Sequence, residues 1–273
     1  MDISNQFNGF LNTSPLFHEA LEIGQFDLKT LKLDSNFNKT LDLQIPLNIP
    51  LGKRLEYFFE HLINLSSNFE VLAKNIQIFQ DNQTIGEIDF ILKDIETGIY
   101  YHIEFVYKYY LYFEKNNELE GFIGPNLNDS LIKKLNKLKN KQFPIINHKK
   151  TKNILEKIKV KDIVQKTVFL GNIFLPKHKQ YDFKIVNNSC VKGFYTSIFE
   201  FIENIDEYSD YEYFLPHRFD WVAKPSENET WISYEKILSE IQFFIDLKKS
   251  PLVFAKTKEN RFFQFFITYY EII

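Results

Sequence analysis

The chain has almost no cysteine, because Cys190 is the only one in 273 residues. A single thiol excludes a framework of intramolecular disulfides and favours a reducing compartment. Long hydrophobic runs are missing too, since no stretch reaches the roughly 18 consecutive apolar residues of a membrane span. The first residues show neither a positively charged start nor a sustained apolar run, so we expect no signal peptide. These absences predict a soluble, cytoplasmic protein that does not enter a membrane.

Several ligand-binding motifs are absent as well. The nine glycines form no glycine-rich phosphate loop, which argues against binding of nucleoside triphosphates. His61, His102, His148 and His217 are too scattered along the chain to show a clustered metal spacing. Cys190 has no histidine pattern near it and is interpreted as a core thiol. The sequence therefore excludes the commonest nucleotide, zinc and thiol sites.

The sequence does contain a clear pattern of secondary structure. Apolar residues at helical spacing predict a helix over residues 51–66. Period-two and aromatic segments predict strands over 70–80, 84–94, 99–113 and 164–176. A further helix, capped by Asn128 or Asp129, carries Leu131, Leu135 and Leu138 before the last of these strands. The order helix, three strands, helix, strand predicts a mixed α/β fold.

The chain shows no internal repeat and no flexible linker. With 273 residues, it is long enough to bury one large core or two modest ones. Its 44% hydrophobic and 17% aromatic residues indicate a globular protein. We expect a helical lead-in over 1–48, a core over 49–176 and an α+β extension over 177–273 packed on that core. The extension is predicted to hold helices near 195–205 and 233–248 and strands over 251–256 and 261–270.

The charge is strongly segregated, although the net charge is only −3. Residues 131–166 hold twelve lysines against Glu156 and Asp162, a net of +10, so the remainder carries −13. Such a surface predicts a polyanion partner, here DNA or RNA. Phe143 is the only aromatic residue in the segment, which predicts contacts to phosphates and not to stacked bases. Solvated helix faces are the alternative interpretation.

Three charged residues stand out in the second and third predicted strands. Alternation puts Asp89 on one face of its strand, and Glu104 and Lys108 on one face of the next strand. Two adjacent carboxylates repel each other unless a cation or a proton lies between them. Mg²⁺ or Mn²⁺ is the natural partner, because hard divalent ions prefer carboxylate oxygens. The pattern is typical of a metal-dependent phosphodiesterase.

An ordinary solvated sheet face is the alternative for these charges. The hydrophobic surroundings count against it, because Asp89 lies within IGEIDFIL and Glu104 within YYHIEFVYKYYLYF. Both strands are predicted to be buried on both sides, and carboxylates are rarely buried without a cation or a donor. His102 shares a face with Glu104, and it is interpreted as a structural histidine, with a neighbour of the site as the alternative.

The order of elements and the position of these acids resemble the PD-(D/E)XK nucleases, which have the restriction-endonuclease-like fold. The resemblance implies that Asp89 is the motif aspartate and that Glu104 is its (D/E) residue. It also implies that Glu56 is the acid of the first helix and that Gln142 is the second-helix glutamine of the exonuclease-like branch.

The chain also resembles the bacterial family catalogued as domain of unknown function 1853. The match runs through most of residues 14–176 and more loosely to the end. The segments that carry it are SP (14–15), LGKRLEYFFE (51–60), NIQ (75–77), GEIDFIL (86–92), HIEFVYKYYL (102–111), GPNLNDSLIKKL (124–135) and KQFP (141–144).

One departure from the superfamily pattern concerns the lysine. The usual spacing is Glu-x-Lys, whereas Lys108 follows Glu104 by four positions, which displaces it by about 6–7 Å further along a strand. A bulge or a bent side chain would restore the contact. Otherwise the charge has to come from Lys93 or from Lys133 and Lys134.

These observations lead to three functional hypotheses. The first is a nuclease in which Asp89 and Glu104 hold Mg²⁺ or Mn²⁺, Glu56 assists and Lys108 stabilises the transition state. The nucleic acid would be positioned by the residues Lys133, Lys134, Lys137 and Gln142. The second is a catalytically inactive relative that binds nucleic acid or a protein partner. The third is an assembly module that uses the aromatic C-terminal layer.

Overall fold

A computed structural model describes residues 2–18, 22–34, 41 and 43–271. Within these residues the protein is mixed α/β, with seven α-helices and nine strands that pair in both senses. The predicted lead-in over 1–48 is therefore described only in part. None of the helices in the described ranges has the length and apolar character needed to cross a membrane.

The helices and strands alternate along the chain. The α-helices are α1 Ile3–Leu11, α2 Leu51–Leu65, α3 Leu131–Lys137, α4 Lys149–Lys157, α5 Ile198–Glu203, α6 Ile205–Tyr208 and α7 Tyr234–Asp246. The strands are β1 Phe69–Gln80, β2 Gln83–Asp94, β3 Tyr100–Tyr112, β4 Phe122–Ile123, β5 Ile163–Pro176, β6 Val191–Ser197, β7 Glu212–Phe214, β8 Leu252–Lys256 and β9 Phe262–Thr268.

The chain divides into two compact units. The hairpin unit comprises Phe17–Tyr107 and Ile132–Leu170. The C-terminal unit comprises Met1–Leu16, Lys108–Leu131 and Gly171–Ile273. Strands β3 and β5 contribute residues to both units.

The hairpin unit is built around three antiparallel strands and a helix. Its strands follow the order β1-β2-β3-β5. Helix α2 buries Leu55, Phe58 and Phe59 completely, because these apolar residues recur at helical spacing. The Phe59 ring packs against Phe90 of β2 and Phe105 of β3, with centroid distances of 5.0 and 5.4 Å. The helix predicted over 51–66 and the three strands after it are thus confirmed to within two residues.

The predicted helix between the third and fourth of these strands is several shorter pieces in the structure. Helix α3 ends at Lys137 and continues as a π-helical turn over Leu138–Gln142 and a 3₁₀ turn over Phe143–Asn147. A separate helix, α4, follows. Pro144 lacks a backbone donor, which accounts for the break. Within this helical layer, Ile145 packs with Ile78 and Ile88 of the hairpin.

The C-terminal unit contains the later strands of the nine-stranded sheet. Strands β5, β6 and β9 are parallel neighbours, and β9, β8 and β7 continue antiparallel. Helices α5 and α7 cover an apolar cluster that includes Phe201, Tyr213 and Ile237, all fully buried. Helix α7 and strands β8 and β9 confirm the predicted elements. Strand β6 replaces the beginning of the helix predicted near 195, because three of its residues, Tyr195, Thr196 and Ser197, are buried within the sheet.

Candidate functional site

Asp89 and Glu104 lie side by side in the hairpin unit. Strands β2 and β3 pair in antiparallel register up to Phe90 opposite Ile103, so the next position puts Asp89 opposite Glu104. At that point the Asp89 Oδ2 accepts the Phe105 N–H at 2.9 Å, and the charge of Glu104 acts on the Asp89 carboxyl. A side chain thus accepts a main-chain donor next to the Phe90–Ile103 pair of the ladder. The structure brings the two predicted acids together.

Glu104 is completely buried and receives several donors. Its Oε1 lies 3.0 Å from His102 Nε2, and its Oε2 accepts a hydrogen bond from the Gln142 amide. The other ring nitrogen of His102 accepts from Gln165 Nε2 at 3.0 Å, which assigns the proton to Nε2. His102 is therefore a neutral donor that orients Glu104, and it is a direct neighbour of the site.

Burial raises the pKa values of both acids. The pKa of Asp89 rises to about 7, first because the carboxyl is buried and then because of the charge of Glu104. Burial likewise raises the pKa of Glu104 to about 7, against the charges of Lys134 and Lys137. Burial lowers the pKa of His102 to about 4. Because Glu104 accepts more hydrogen bonds, we assign it the negative charge and give Asp89 the shared proton near neutral pH.

Glu56 of α2 forms a second acidic group with Glu87 of β2. Lys53 Nζ lies 2.8 Å from Glu56 and 3.2 Å from Glu87. Burial raises the pKa of Glu56 to about 7, with the Lys53 ion pair opposing it and the charge of Asp89 adding to it. The predicted first-helix acid is thus within electrostatic reach of the Asp89 carboxyl.

Asn75 of β1 is the irregular residue beside Asp89. The flanking pairs, Lys74 with Phe90 and Ile76 with Ile88, put Asn75 across from Asp89. Its φ of 53° is left-handed, a conformation that strands normally avoid. Its Oδ1 accepts a hydrogen bond from Lys53 Nζ at 2.5 Å, which ties the distorted backbone to α2.

Simple alternation fails in β2 at this position. Ile88 and Ile91 should lie on opposite faces, yet both belong to the apolar cluster around Ile145. Phe90 should share a face with Ile88, yet it packs on Phe59 of α2. The hairpin therefore twists sharply at Asp89, so that Glu87 reaches α2.

Two substitutions at Asn75 separate its backbone role from its side-chain role. We expect Asn75→Ala to lower the free energy of unfolding by about 1–2 kcal/mol, because alanine is strained at positive φ. Asn75→Gly removes both the strain and the Lys53 contact. We therefore expect its free energy of unfolding to lie within about 1 kcal/mol of that of the parent protein. Urea unfolding measures both values. A glycine variant less stable than the alanine variant would contradict this assignment.

Gln142 and Lys134 form a chain of contacts toward Glu104. Lys134 Nζ donates to Gln142 Oε1 at 2.8 Å, and the Gln142 amide donates to Glu104. Gln142 ends the π-helical turn, and such turns often occur at functional sites. Lys137 lies close enough for its charge to lower the Glu104 pKa. Three of the four predicted nucleic-acid contacts are therefore within reach of the acids, and the fourth, Lys133, is exposed on α3.

Lys108 belongs to the C-terminal unit. Its Nζ lies 2.5 Å from Asp129 Oδ2, and both side chains are about one-third exposed. The Lys108 ammonium is therefore paired with an acid of the same C-terminal unit. Its predicted role at the acid pair stays a prediction.

The donor set is compatible with a hard divalent ion. Within the described ranges no cluster of three or more histidine, cysteine, aspartate or glutamate side chains has metal-binding geometry. Mg²⁺ nevertheless requires only one or two carboxylates, since it retains several waters. Asp89 and Glu104 supply two adjacent oxygen donors, and His102 and Gln142 are outer partners of the kind that orient metal ligands. A dication would replace the shared proton.

Three residues of this site were not singled out from the sequence. Asn75 and Gln165 reach it through tertiary contacts, and so does Lys53 in its contacts with Asn75 and Glu87. Lys53 precedes Glu56 by three positions, which puts both on one side of α2, and this spacing is the one signal that the sequence offered.

The comparisons with known proteins give one family match. Residues 19–261 match the model of a family described as Domain of unknown function (DUF1853). No curated protein and no solved structure matches the chain significantly. The match covers most of the chain and agrees with the resemblance carried by the sequence motifs.

Proposed function

The chain belongs to the family described as Domain of unknown function (DUF1853), and we propose from its own residues that it is a divalent-metal-dependent nuclease. It would hydrolyse phosphodiester bonds in DNA or RNA. The observation that carries this proposal is the pair of buried, adjacent carboxyls of Asp89 and Glu104, each with a pKa near 7. Such a pair destabilises the fold, because burial disfavours the charged forms. Carboxyls with pKa values raised in this way are concentrated at functional sites.

The order of elements supports a restriction-endonuclease-like core in the hairpin unit. Helix α2 precedes the antiparallel strands β1, β2 and β3, a helical layer follows, and β5 completes the unit. In such a core Asp89 and Glu104 would take the positions of the motif acids, and their adjacency supports this proposal. The contact of Gln142 with Glu104 supports the match to the exonuclease-like branch.

Each residue has a role that follows from its contacts. Asp89 and Glu104 would hold Mg²⁺ or Mn²⁺. When bound, the ion would lower the pKa of water and neutralise charge on the phosphate. Glu56, whose pKa is about 7, is suited to accept the proton of an attacking water near neutral pH. Gln142 and His102 keep Glu104 in one orientation.

The helical layer supplies the surface for the nucleic-acid backbone. The lysines on α3, on α4 and in their connections are mostly exposed, whereas Lys134 is turned toward Gln142. Exposed ammonium groups bind phosphates without reading bases. The interface is thus expected to be sensitive to salt and tolerant of sequence.

Removing two of these charges tests the interface. We expect the double variant Lys133→Gln with Lys137→Gln to bind a labelled oligonucleotide more weakly and to lower the salt slope by about 1 for each lost phosphate contact. Fluorescence anisotropy in Ca²⁺ measures this. The matched control is Lys248→Gln with Lys249→Gln, an equal charge change on exposed residues of the C-terminal unit. Equal weakening in both proteins would contradict the proposed surface.

Turnover by the purified protein tests the reaction itself. We expect cleavage of labelled single-stranded and double-stranded DNA and RNA in Mn²⁺ or Mg²⁺, and none in EDTA. Turnover that survives EDTA, or a protein that cleaves no member of the panel in either metal, would overturn the proposal.

A catalytically inactive nucleic-acid-binding protein is the second candidate. The engagement of Lys108 by Asp129 favours it, because the motif lysine would then be lost to the reaction. It predicts salt-sensitive binding without cleavage and without any dependence on divalent ions. Binding that persists unchanged in Asp89→Asn and in EDTA would support this candidate over the nuclease.

A further inference from the structure

Lys53 is a cation of the acidic site that comes from helix α2 and not from the third strand. Its Nζ contacts Glu56 at 2.8 Å, Glu87 at 3.2 Å and the Asn75 amide oxygen at 2.5 Å. Its charge also acts on Asp89, whose pKa it lowers against the larger effect of burial. One lysine thus connects α2, β1 and β2 next to the acid pair.

The backbone is distorted to make this arrangement. Asn75 adopts φ 53° within a strand, a left-handed conformation that few residues other than glycine and asparagine adopt readily. The distortion occurs across from Asp89, and the Asn75 side chain binds the Lys53 ammonium. Strain of this kind persists where the surrounding structure needs a group in one position. Here the positioned group is an amine.

The three contacts differ in strength and access. Glu87 provides the longest of them, and about one-third of its side chain is exposed, as is one-third of that of Lys53. The Glu56 side chain is only 14% exposed, so its contact with Lys53 would persist when a substrate binds. An arriving phosphate oxygen would therefore replace Glu87 as a partner of the ammonium, while Glu56 and Asn75 hold the amine in place.

We propose that Lys53 is the catalytic lysine of this site, contacting the scissile phosphate and stabilising the charge that develops on it. The inference rests on the proposed nuclease function. It gives Lys53 the part that the PD-(D/E)XK pattern assigns to the lysine after the motif acid, which Lys108 occupies in the sequence. Lys134 and Lys137 are the cations whose charges act on Glu104, and Lys134 also acts on Asp89, but the Lys134 ammonium supports Gln142 and the Lys137 side chain is exposed.

Kinetics of Lys53→Gln test the proposal. We expect kcat to fall by about 100-fold or more, the usual cost of losing one electrostatic contact to a transition state, with KM changed little. Lys53→Arg keeps the charge and should recover most of the lost rate. The control is Lys74→Gln, because Lys74 also links β1 to α2, through Glu60 at 2.5 Å and Tyr57, and should leave turnover unchanged.

Two measurements without turnover separate catalysis from structural support. Binding of Mn²⁺, followed by electron paramagnetic resonance, and thermal unfolding should match the parent protein in Lys53→Gln. A parallel loss of Mn²⁺ affinity and stability, without rescue by Lys53→Arg, would make Lys53 a structural residue and overturn its catalytic role.

The outcomes also separate this inference from the function on which it rests. An active parent protein with an equally active Lys53→Gln variant would refute Lys53 alone. Loss of turnover in Lys108→Gln, with turnover kept in Lys53→Gln, would return the role to the strand lysine. A parent protein without metal-dependent turnover would refute the nuclease, and the catalytic role of Lys53 with it.

Discussion

Replacing Asp89 with asparagine is expected to lower metal-dependent cleavage by about a thousandfold or more. The change removes one of two adjacent carboxylates and leaves the side chain nearly the same size. Asparagine still has an oxygen for the Phe105 N–H, which Asp89 accepts at 2.9 Å, so the local backbone should be kept. Single-turnover cleavage in Mn²⁺, with a circular dichroism spectrum of each protein, measures the effect.

Two further variants make this result specific. Glu104→Gln should lose activity to a similar degree, because it removes the other carboxylate of the pair. Glu70→Gln makes the same change of charge on an exposed residue of β1 and should cleave as the parent does. Undiminished turnover in a folded Asp89→Asn protein would end the assignment of the site.

The second large effect concerns stability and pH in the absence of metal. The pKa values of Glu56, Asp89 and Glu104 are each raised to about 7, so the folded protein binds protons more tightly than the unfolded chain. Their contribution to stability is complete below the ordinary carboxyl pKa and is lost as the pH rises through about 7. One pKa unit corresponds to about 1.4 kcal/mol. Three independent groups that titrate over about two pKa units would lose about 8 kcal/mol, and the shared proton of Asp89 and Glu104 reduces this, so we expect the free energy of unfolding in EDTA to fall by several kcal/mol between pH 5 and pH 8.

His102 acts in the opposite direction over part of this range. Burial lowers its pKa to about 4, so the stability that it contributes is lost as the pH falls from its ordinary value toward 4. The three acids outweigh this single group above pH 6. Urea unfolding in EDTA at several pH values measures the sum.

The variants of the acid pair give the decisive comparison for this prediction. Asp89→Asn removes one member of a pair of buried like charges, so at pH 8 we expect it to be more stable than the parent by about 1–3 kcal/mol. Glu70→Gln should follow the curve of the parent. A parent protein whose stability is flat, or rises, between pH 5 and pH 8 in EDTA would show that the acids are not strained.

Much of the fold near the site was readable from the sequence. Helix α2 and strands β1, β2 and β3 begin and end within two residues of their predicted bounds, because their apolar periods match one structure each. The sequence predicts one helix between β3 and β5, whereas the structure has four shorter helical pieces there. The breaks between them depend on Pro144 and on packing against Ile145, and an apolar period does not encode such packing.

Some residues of the site can be predicted from the sequence, and others are found only in the structure. Asp89 and Glu104 stand out because acids within hydrophobic strands are conspicuous in a sequence, whereas Glu56 is implied only by the resemblance to the PD-(D/E)XK nucleases. Lys53 and Gln165 do not stand out, because Lys53 reaches Asn75 and Glu87, and Gln165 reaches His102, only through contacts between residues distant along the chain. Strict alternation also misplaced the neighbours of Asp89, since the twist at Asn75 changes which layer each residue meets.

The scarcity of cysteine, the absence of long apolar runs and the clustering of lysines are properties of composition, and they needed no coordinates. The identity of the acids and the order of helices and strands follow from local periodicity, which the chain carries within a few residues. Folding alone brought Lys53 to Glu87 and Lys108 to Asp129. The pairing of a charge depends on distances between residues far apart in the chain, and only the packed structure sets those distances.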